Sequence, residues 1–338
     1  MSTFVRERGV SLRPHAKTHK CLEVAKRQMA AGAIGICVAT IAEAEMLARG
    51  GIRGILITAE LVGEPKVSRW AEVMKVAPDT MLVVDNAENV AELDRVGVRT
   101  DVLIDLDIGQ NRTGVLPGEP ARALASTIAR SSNLHLVGIC AYAGHLAHVT
   151  GFEARREASR AAWARALETR DLLCRDGHEI RIMTGASTGT YNIDGAIDGV
   201  TELQSGSYVF MDVEYRGIGG QSGAVYEDFA PSLCVLATVI HRSEEKAIVD
   251  AGLKAFATDR SFGPQLLDFP EITYQFAGDE HGRLVLGASG TSIHLGDKLR
   301  FILPHVDPNV NLYDRIFVAR GNDVADEWSI MDRSGGYF

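Results

Sequence analysis

Short, continuous apolar runs alternate with amphipathic stretches through the first part of the chain. The runs cover residues 10–12, 35–40, 54–58, 81–85, 102–106, 136–140 and 180–183, with a weaker one near 209–211. Between them, residues 22–31, 42–49, 87–96, 120–131 and 153–176 carry apolar positions at helical spacing. Continuous apolar strands separated by helices imply a parallel sheet covered on both faces. Seven such strands and a weaker eighth predict an α/β fold, a TIM-like (β/α)8 barrel over residues 1–212. An open doubly wound sheet is the alternative that periodicity leaves standing. From residue 213 the pattern changes. Residues 215–223 are glycine-rich, and short runs at 233–240, 246–250, 284–286, 298–303 and 316–319 are separated by turn residues, which predicts a mostly antiparallel β domain over 213–338.

Composition narrows the partners. With 338 residues and 46% apolar content, the chain can fill both cores. A net charge of -9 argues against nucleic acid and against an anionic membrane surface, so a small-molecule ligand is expected. No run reaches membrane-spanning length and the first residues carry charges without a signal-peptide core, so a soluble, cytoplasmic protein is expected. Cys21, Cys37, Cys140, Cys174 and Cys234 are odd in number and widely spaced, and they read as reduced thiols with no metal-ligand spacing.

Candidate chemistry concentrates at the ends of the predicted strands. The octet Arg13-Pro14-His15-Ala16-Lys17-Thr18-His19-Lys20 follows the first strand and holds five basic or imidazole side chains. A lysine there, with cationic neighbours and partial burial to lower its pKa, is what a Schiff-base site needs; a solvated basic loop is an equally good account of the octet alone. Two segments rich in Gly, Ser and Thr, 184–190 at the end of the seventh strand and 202–208 at the eighth, lie where barrels commonly build phosphate sites, although each read singly is an ordinary turn. Arg112 lies in the segment after the fifth strand, and Tyr142, His145 and His148 follow the sixth. Later in the chain His305 and Asp307 stand two apart. In extended chain such residues share a face and can share a cation, or simply a hydrogen bond in a turn.

The octet resembles the cofactor-lysine segment of the D-threonine aldolase and D-serine dehydratase family, pyridoxal-phosphate enzymes of the alanine racemase type of fold, and the other segments match in the right order over nearly the whole chain. The resemblance implies a barrel followed by a β domain, with Lys17 as the Schiff-base lysine. It places Arg112 and Tyr142 at the cofactor ring, and Thr188, Gly206, Ser207 and Tyr208 on its phosphate. It makes His148 the base that acts on substrate. Where family aldolases carry a histidine after the tyrosine, this chain has Ala143, which leaves a compensating role open for His145. His305 and Asp307 match the family's metal pair, expected to hold Mn²⁺, with Mg²⁺, Co²⁺ or Zn²⁺ as alternatives; the His-x-Asp form favours the aldolase branch. Asp279-Glu280-His281-Gly282 also matches a family segment, without an assigned role.

The implied reaction is metal-activated retro-aldol cleavage of a D-β-hydroxy-α-amino acid to glycine and an aldehyde, in a homodimer. Four alternatives stand beside it: a D-serine or 3-hydroxyaspartate dehydratase, a 3-hydroxy-D-aspartate aldolase, a non-catalytic cofactor carrier, and a racemase. The carrier sits poorly with a metal-bearing β domain, and the racemase lacks a clear second base. Family members carry a further amino-terminal segment ahead of the first strand, so a shortened chain or a shifted start is expected.

Overall fold

The computed structural model of the chain describes residues 1–287, 292–331 and 333, in two compact units. The first comprises Met1–Gly206 together with the chain from Phe317 onward. Its strands are β1 (Ser11–Leu12), β2 (Cys37–Val38), β3 (Leu56–Ile57), β4 (Met81–Val84), β5 (Thr100–Asp105), β6 (Leu134–Ala141), β7 (Ile182–Gly185) and β8 (Glu202–Leu203). They form one parallel sheet in the order β1-β8-β7-β6-β5-β4-β3-β2. The seam is closed by Ile34 N–H to Leu12 O (2.9 Å), Cys37 N–H to Pro14 O (2.9 Å) and a parallel bridge between His15 and Cys37. The sheet is therefore a barrel, as the alternating pattern predicts. Cys37, Leu56, Met81, Val83, Leu103, Val137 and Cys140, drawn from β2 to β6, pack into one buried cluster.

The helices are α1 (Ser2–Arg8), α2 (Leu22–Ala30), α3 (Ile41–Arg49), α4 (Glu64–Val76), α5 (Ala87–Asp94), α6 (Glu119–Ile128), α7 (Phe152–Arg175) and α8 (Tyr191–Asp194). Side-chain caps fix two of the entries: Thr40 Oγ1 accepts from Glu43 N at 3.2 Å and Asn86 Oδ1 from Asn89 N at 2.8 Å, satisfying amides that a helix start leaves open. Among the described residues no helix is long and apolar enough to cross a membrane.

The eighth strand departs from the expectation. It lies at Glu202–Leu203, whereas Ser207–Val209, near the weak run, is a 3-10 turn. Periodicity misses a two-residue strand whose first member is a buried glutamate, because that charge is tolerated only by a partner far away in sequence.

The second unit, Ser207–Ile316, contains α9 (Val213–Arg216), β9 (Cys234–Arg242), β10 (Lys246–Val249), β11 (Gln265–Leu266), β12 (Thr273–Phe276), β13 (Gly282–Val285), β14 (Lys298–Ile302) and α10 (Val306–Val310). Its six strands form an antiparallel sheet in the order β11-β14-β9-β10-β13-β12. Phe256, Tyr274 and Phe301 meet edge to face at centroid distances of 5.5 to 5.8 Å, an arrangement aromatic quadrupoles favour. A two-stranded ribbon, β15 (Arg315–Arg320) with β16 (Asp323–Ser329), follows.

Candidate active site

The basic octet is not a solvated loop. Arg13 is buried and makes a bidentate pair with Glu202 of β8, Nε and Nη2 each 2.9 Å from a carboxylate oxygen, while Nη1 donates to Gly54 O. His15 accepts from Lys17 N through Nδ1 at 3.3 Å and meets Thr58 Oγ1 through Nε2 at 3.0 Å, which caps the 3-10 turn Ala16–Thr18. His19 is fully buried and its Nδ1 accepts from Cys21 N at 3.0 Å. Lys20, at φ 45°, lies 3.6 Å from the buried carboxylate of Glu43, whose Oε2 accepts from Ala39 N at 2.7 Å. Burial pushes the Glu43 carboxyl up against the opposing pull of that amide and of Lys20 and Lys17. Four of the octet's five basic or imidazole side chains are thus committed to structure. The fifth, Lys17, is half-exposed on the short turn at the carboxyl end of β1, within the field of the Glu43 carboxylate. Because Glu202 and Glu43 offset Arg13 and Lys20, cationic crowding around Lys17 is weaker than the sequence suggests.

The loops after β7 and β8 meet this turn. Gln204 N donates to Gly185 O at 2.7 Å and Ser205 Oγ to Ser187 O at 2.9 Å, so the two loops are tied together. Gly206 lies directly against the lysine turn: a Cβ there would sit 2.6 Å from Thr18 Oγ1 and 2.9 Å from His15 O. Thr188 is buried, with 1% of its surface exposed. Ala186, at φ 70°, holds the loop after β7 in a left-handed bend that L-residues seldom adopt. Ser207 and Tyr208 occupy the 3-10 turn that opens the second unit, and the Tyr208 ring lies 5.5 Å from Phe229.

After β5, burial alone would raise the Asp107 carboxyl, but Oδ1 accepts from Gly109 N (2.9 Å) and Asn111 N (3.1 Å), and these amides together hold it below the usual range. This turn presents exposed Arg112, whose guanidinium lies 5.8 Å from the Tyr142 ring. After β6, Gly144 N donates to Gln110 Oε1 at 3.0 Å, and a Cβ at Gly144 would strike the Tyr142 ring. His145 is exposed beside Gly109, and His148 is half-buried.

Sequence reasoning missed a carboxyl group cluster at the ends of β3, β4 and β5. Asp105 Oδ2 accepts from Thr113 Oγ1 at 2.9 Å and Asp85 Oδ2 from Gly114 N at 3.1 Å. Burial, then the charge of Asp105, pushes Glu60 up to about 8, and burial also raises Asp105. Burial disfavours two neighbouring charges here, so one proton shared by the Glu60 and Asp105 pair is the favoured state.

In the second unit the His305–Asp307 pair is not in extended chain. His305 is the extended N-cap of α10 and Asp307 is the second helical residue, so the extended-chain argument for a shared face does not apply to them. His305 Nδ1 meets Asp259 Oδ2 at 2.7 Å, and its Nε2 lies 4.0 Å from Glu214 Oε2. Arg260 pairs with both carboxylates, at 2.7 Å to Glu214 and 2.8 Å to Asp259. Asp212 fixes this corner by accepting from Tyr215 N and Val306 N, each at 2.9 Å, and burial pushes its carboxyl up to about 6. Imidazole and carboxylate suit a divalent ion. Among the described residues, however, no three such side chains are arranged to hold one, so His305 and Asp307 could bind a cation only with water or substrate completing its shell. For pyridoxal phosphate the fit is better. An accessible lysine, a glycine pressed on its turn and a bent, amide-rich loop are what an aldehyde cofactor with a phosphate arm requires.

Comparison with known proteins agrees with this geometry. The alanine racemase N-terminal domain matches residues 2–214 and a serine dehydratase domain matches residues 232–319. A D-threonine aldolase of Arthrobacter sp. is 36% identical over 98% of this chain and 88% of its own length. A 3-hydroxy-D-aspartate aldolase of Paracoccus denitrificans is 32% identical over 100% of this chain and 88% of its own. The crystal structure of D-threonine aldolase from Filomicrobium marinum superposes with a TM-score of 0.93 at 35% identity, covering 98% of this chain and 91% of that one. With its barrel, its lysine turn and these matches over almost its full length, the chain belongs to the D-threonine aldolase and D-serine dehydratase-like family of pyridoxal-phosphate enzymes with the alanine racemase type of fold.

Proposed function

We propose that the chain is a metal-activated D-threonine aldolase, cleaving D-β-hydroxy-α-amino acids to glycine and an aldehyde as a cytoplasmic homodimer. The observation that carries this reading is Lys17, half-exposed on the turn after β1, at the barrel end where such chemistry resides. Lys17 binds the cofactor covalently. Thr188, Gly206, Ser207 and Tyr208 receive its phosphate, Tyr142 lines its ring, and Arg112 donates to its phenolate oxygen and keeps that oxygen ionised. Pyridoxal phosphate, when bound, supplies an electron sink for the pair released from the Cα–Cβ bond.

His305 and Asp307 are the residues that would hold a divalent ion, Mn²⁺ or one of Mg²⁺, Co²⁺ and Zn²⁺, whose chemistry is to acidify a hydroxyl. His148 takes the β-hydroxyl proton as the aldehyde forms. The Cα–Cβ bond breaks, the aldehyde leaves, and Cα is protonated to give glycine. A base fixed on one side of the cofactor engages the hydroxyl in one Cα configuration only, while the Cβ configuration is read loosely. The test is product analysis with D-threonine, D-allo-threonine and L-threonine, with and without chelator. Both D-isomers should give glycine and acetaldehyde in a chelator-sensitive reaction, and L-threonine should not react. Ammonia and 2-oxobutyrate as main products would reassign the chain to dehydration.

A further inference from the structure

Helix α7 holds the loops of the site from behind. Arg155, Ser159 and Trp163 are spaced four apart, so they share one face, and all are buried. Ser159 Oγ and Thr190 Oγ1 donate to Asp194, the latter at 2.6 Å, and Thr190 Oγ1 accepts from Ser187 N at 3.1 Å. A Cβ at Gly185 would sit 3.0 Å from the Trp163 ring. This face therefore grips both ends of the loop after β7.

Arg155 does something more specific. Its guanidinium is wholly buried, Nε donates to Gly189 O at 2.8 Å, and Nη1 donates to Val149 O at 2.7 Å. Gly189 follows the proposed phosphate ligand Thr188, and Val149 follows the proposed base His148. A guanidinium is planar and rigid, so carbonyls met by Nε and by Nη1 on its different edges are held at a fixed separation. We propose that Arg155 is a positioning residue that sets the base-bearing loop after β6 in register with the phosphate loop after β7, so that the seated cofactor and His148 are placed together. The inference rests on the proposed roles of His148 and Thr188. A lysine ammonium is a point charge and cannot reproduce the fork, so Arg155→Lys is the informative variant.

The experiment measures pyridoxal phosphate and pyridoxal binding to the apo-protein by visible absorbance, in wild type and Arg155→Lys, with circular dichroism as the folding control. Loss of one charge-assisted contact to the phosphate loop should weaken pyridoxal phosphate about tenfold or more, while pyridoxal, lacking the phosphate, stays within about twofold. Misplacement of the base should lower kcat at saturating cofactor by up to about 10²-fold. In a His148→Ala background, Arg155→Lys should add little further loss, because the base it positions is gone. Equal weakening of both ligands, unchanged pyridoxal phosphate binding, a kcat loss that simply adds to that of His148→Ala, or failure of Arg155→Lys to fold would overturn the proposal. The binding arm needs no substrate, so it is decided independently of whether the chain cleaves D-threonine.

Discussion

Gly206→Ala places one methyl group at the junction between the loop after β8 and the turn that carries Lys17. Gly206 is not in the left-handed region, so the effect is steric rather than conformational. The added Cβ would lie 2.6 Å from Thr18 Oγ1, 2.9 Å from His15 O and 3.3 Å from His15 Cβ. Comfortable contact needs about 3.5 Å, so roughly half an ångström must be found against the His15 carbonyl and more against Thr18. Thr18 is fully buried, and His15 O is backbone, so neither yields by a simple rotation. On the glycine side, the bonds from Gln204 N to Gly185 O and from Ser205 Oγ to Ser187 O resist retreat. The displacement therefore falls on the 3-10 turn, and Lys17 moves with it. Overpacking of this kind costs about 1–3 kcal/mol of stability, and a reacting group shifted by part of an ångström loses on the order of 10- to 10²-fold in rate. Urea unfolding reads the first, and titration of apo-protein with pyridoxal phosphate alongside kcat/KM reads the second. Native cofactor affinity and turnover in Gly206→Ala would show that this junction does not set the position of Lys17. A stability loss with unaltered cofactor binding would move Gly206 away from the cofactor.

Three further outcomes follow from the same geometry. Glu202→Gln leaves the Arg13 guanidinium buried without its countercharge and should cost about 3–5 kcal/mol in urea unfolding, and a loss below about 1 kcal/mol would contradict the pairing described. Glu60, raised from the usual carboxylate value to about 8, binds more proton folded than unfolded, so it makes stability fall as pH rises from about 4.5 through 8; Glu60→Gln should flatten that fall between pH 5 and 9, and parallel profiles would sink the idea. His148→Ala should keep cofactor but lose cleavage by about 10²- to 10⁴-fold, and unchanged turnover would return His148 to structure and direct attention to His145.

The sequence made the barrel readable because seven of its strands are continuous apolar runs set between helical patterns, and it placed Lys17 at the end of β1 for the same reason. The eighth strand was hidden because Glu202 owes its burial to Arg13, 189 positions earlier. The same distance effect concealed why Arg13 and Lys20 are structural: Glu202 and Glu43 come from other elements. Around His305 the spacing to Asp307 was visible, whereas Asp259, Arg260 and Glu214 converge only through the fold of the second unit. The return of the C-terminal ribbon to the first unit was equally invisible, since it depends on Trp328 stacking with Arg27 at 4.6 Å and on Met331 N donating to Lys20 O at 2.8 Å.

Lys17 is the residue proposed to carry the cofactor. Borohydride reduction of the holoenzyme, which converts the lysine–cofactor linkage to a stable secondary amine, followed by peptide mapping, tests that role most directly. The pyridoxyl group should be found on Lys17, with no labelled peptide or visible absorbance band in Lys17→Ala. A pyridoxyl group on Lys20, which the structure pairs with Glu43, or on any other lysine, would contradict that role.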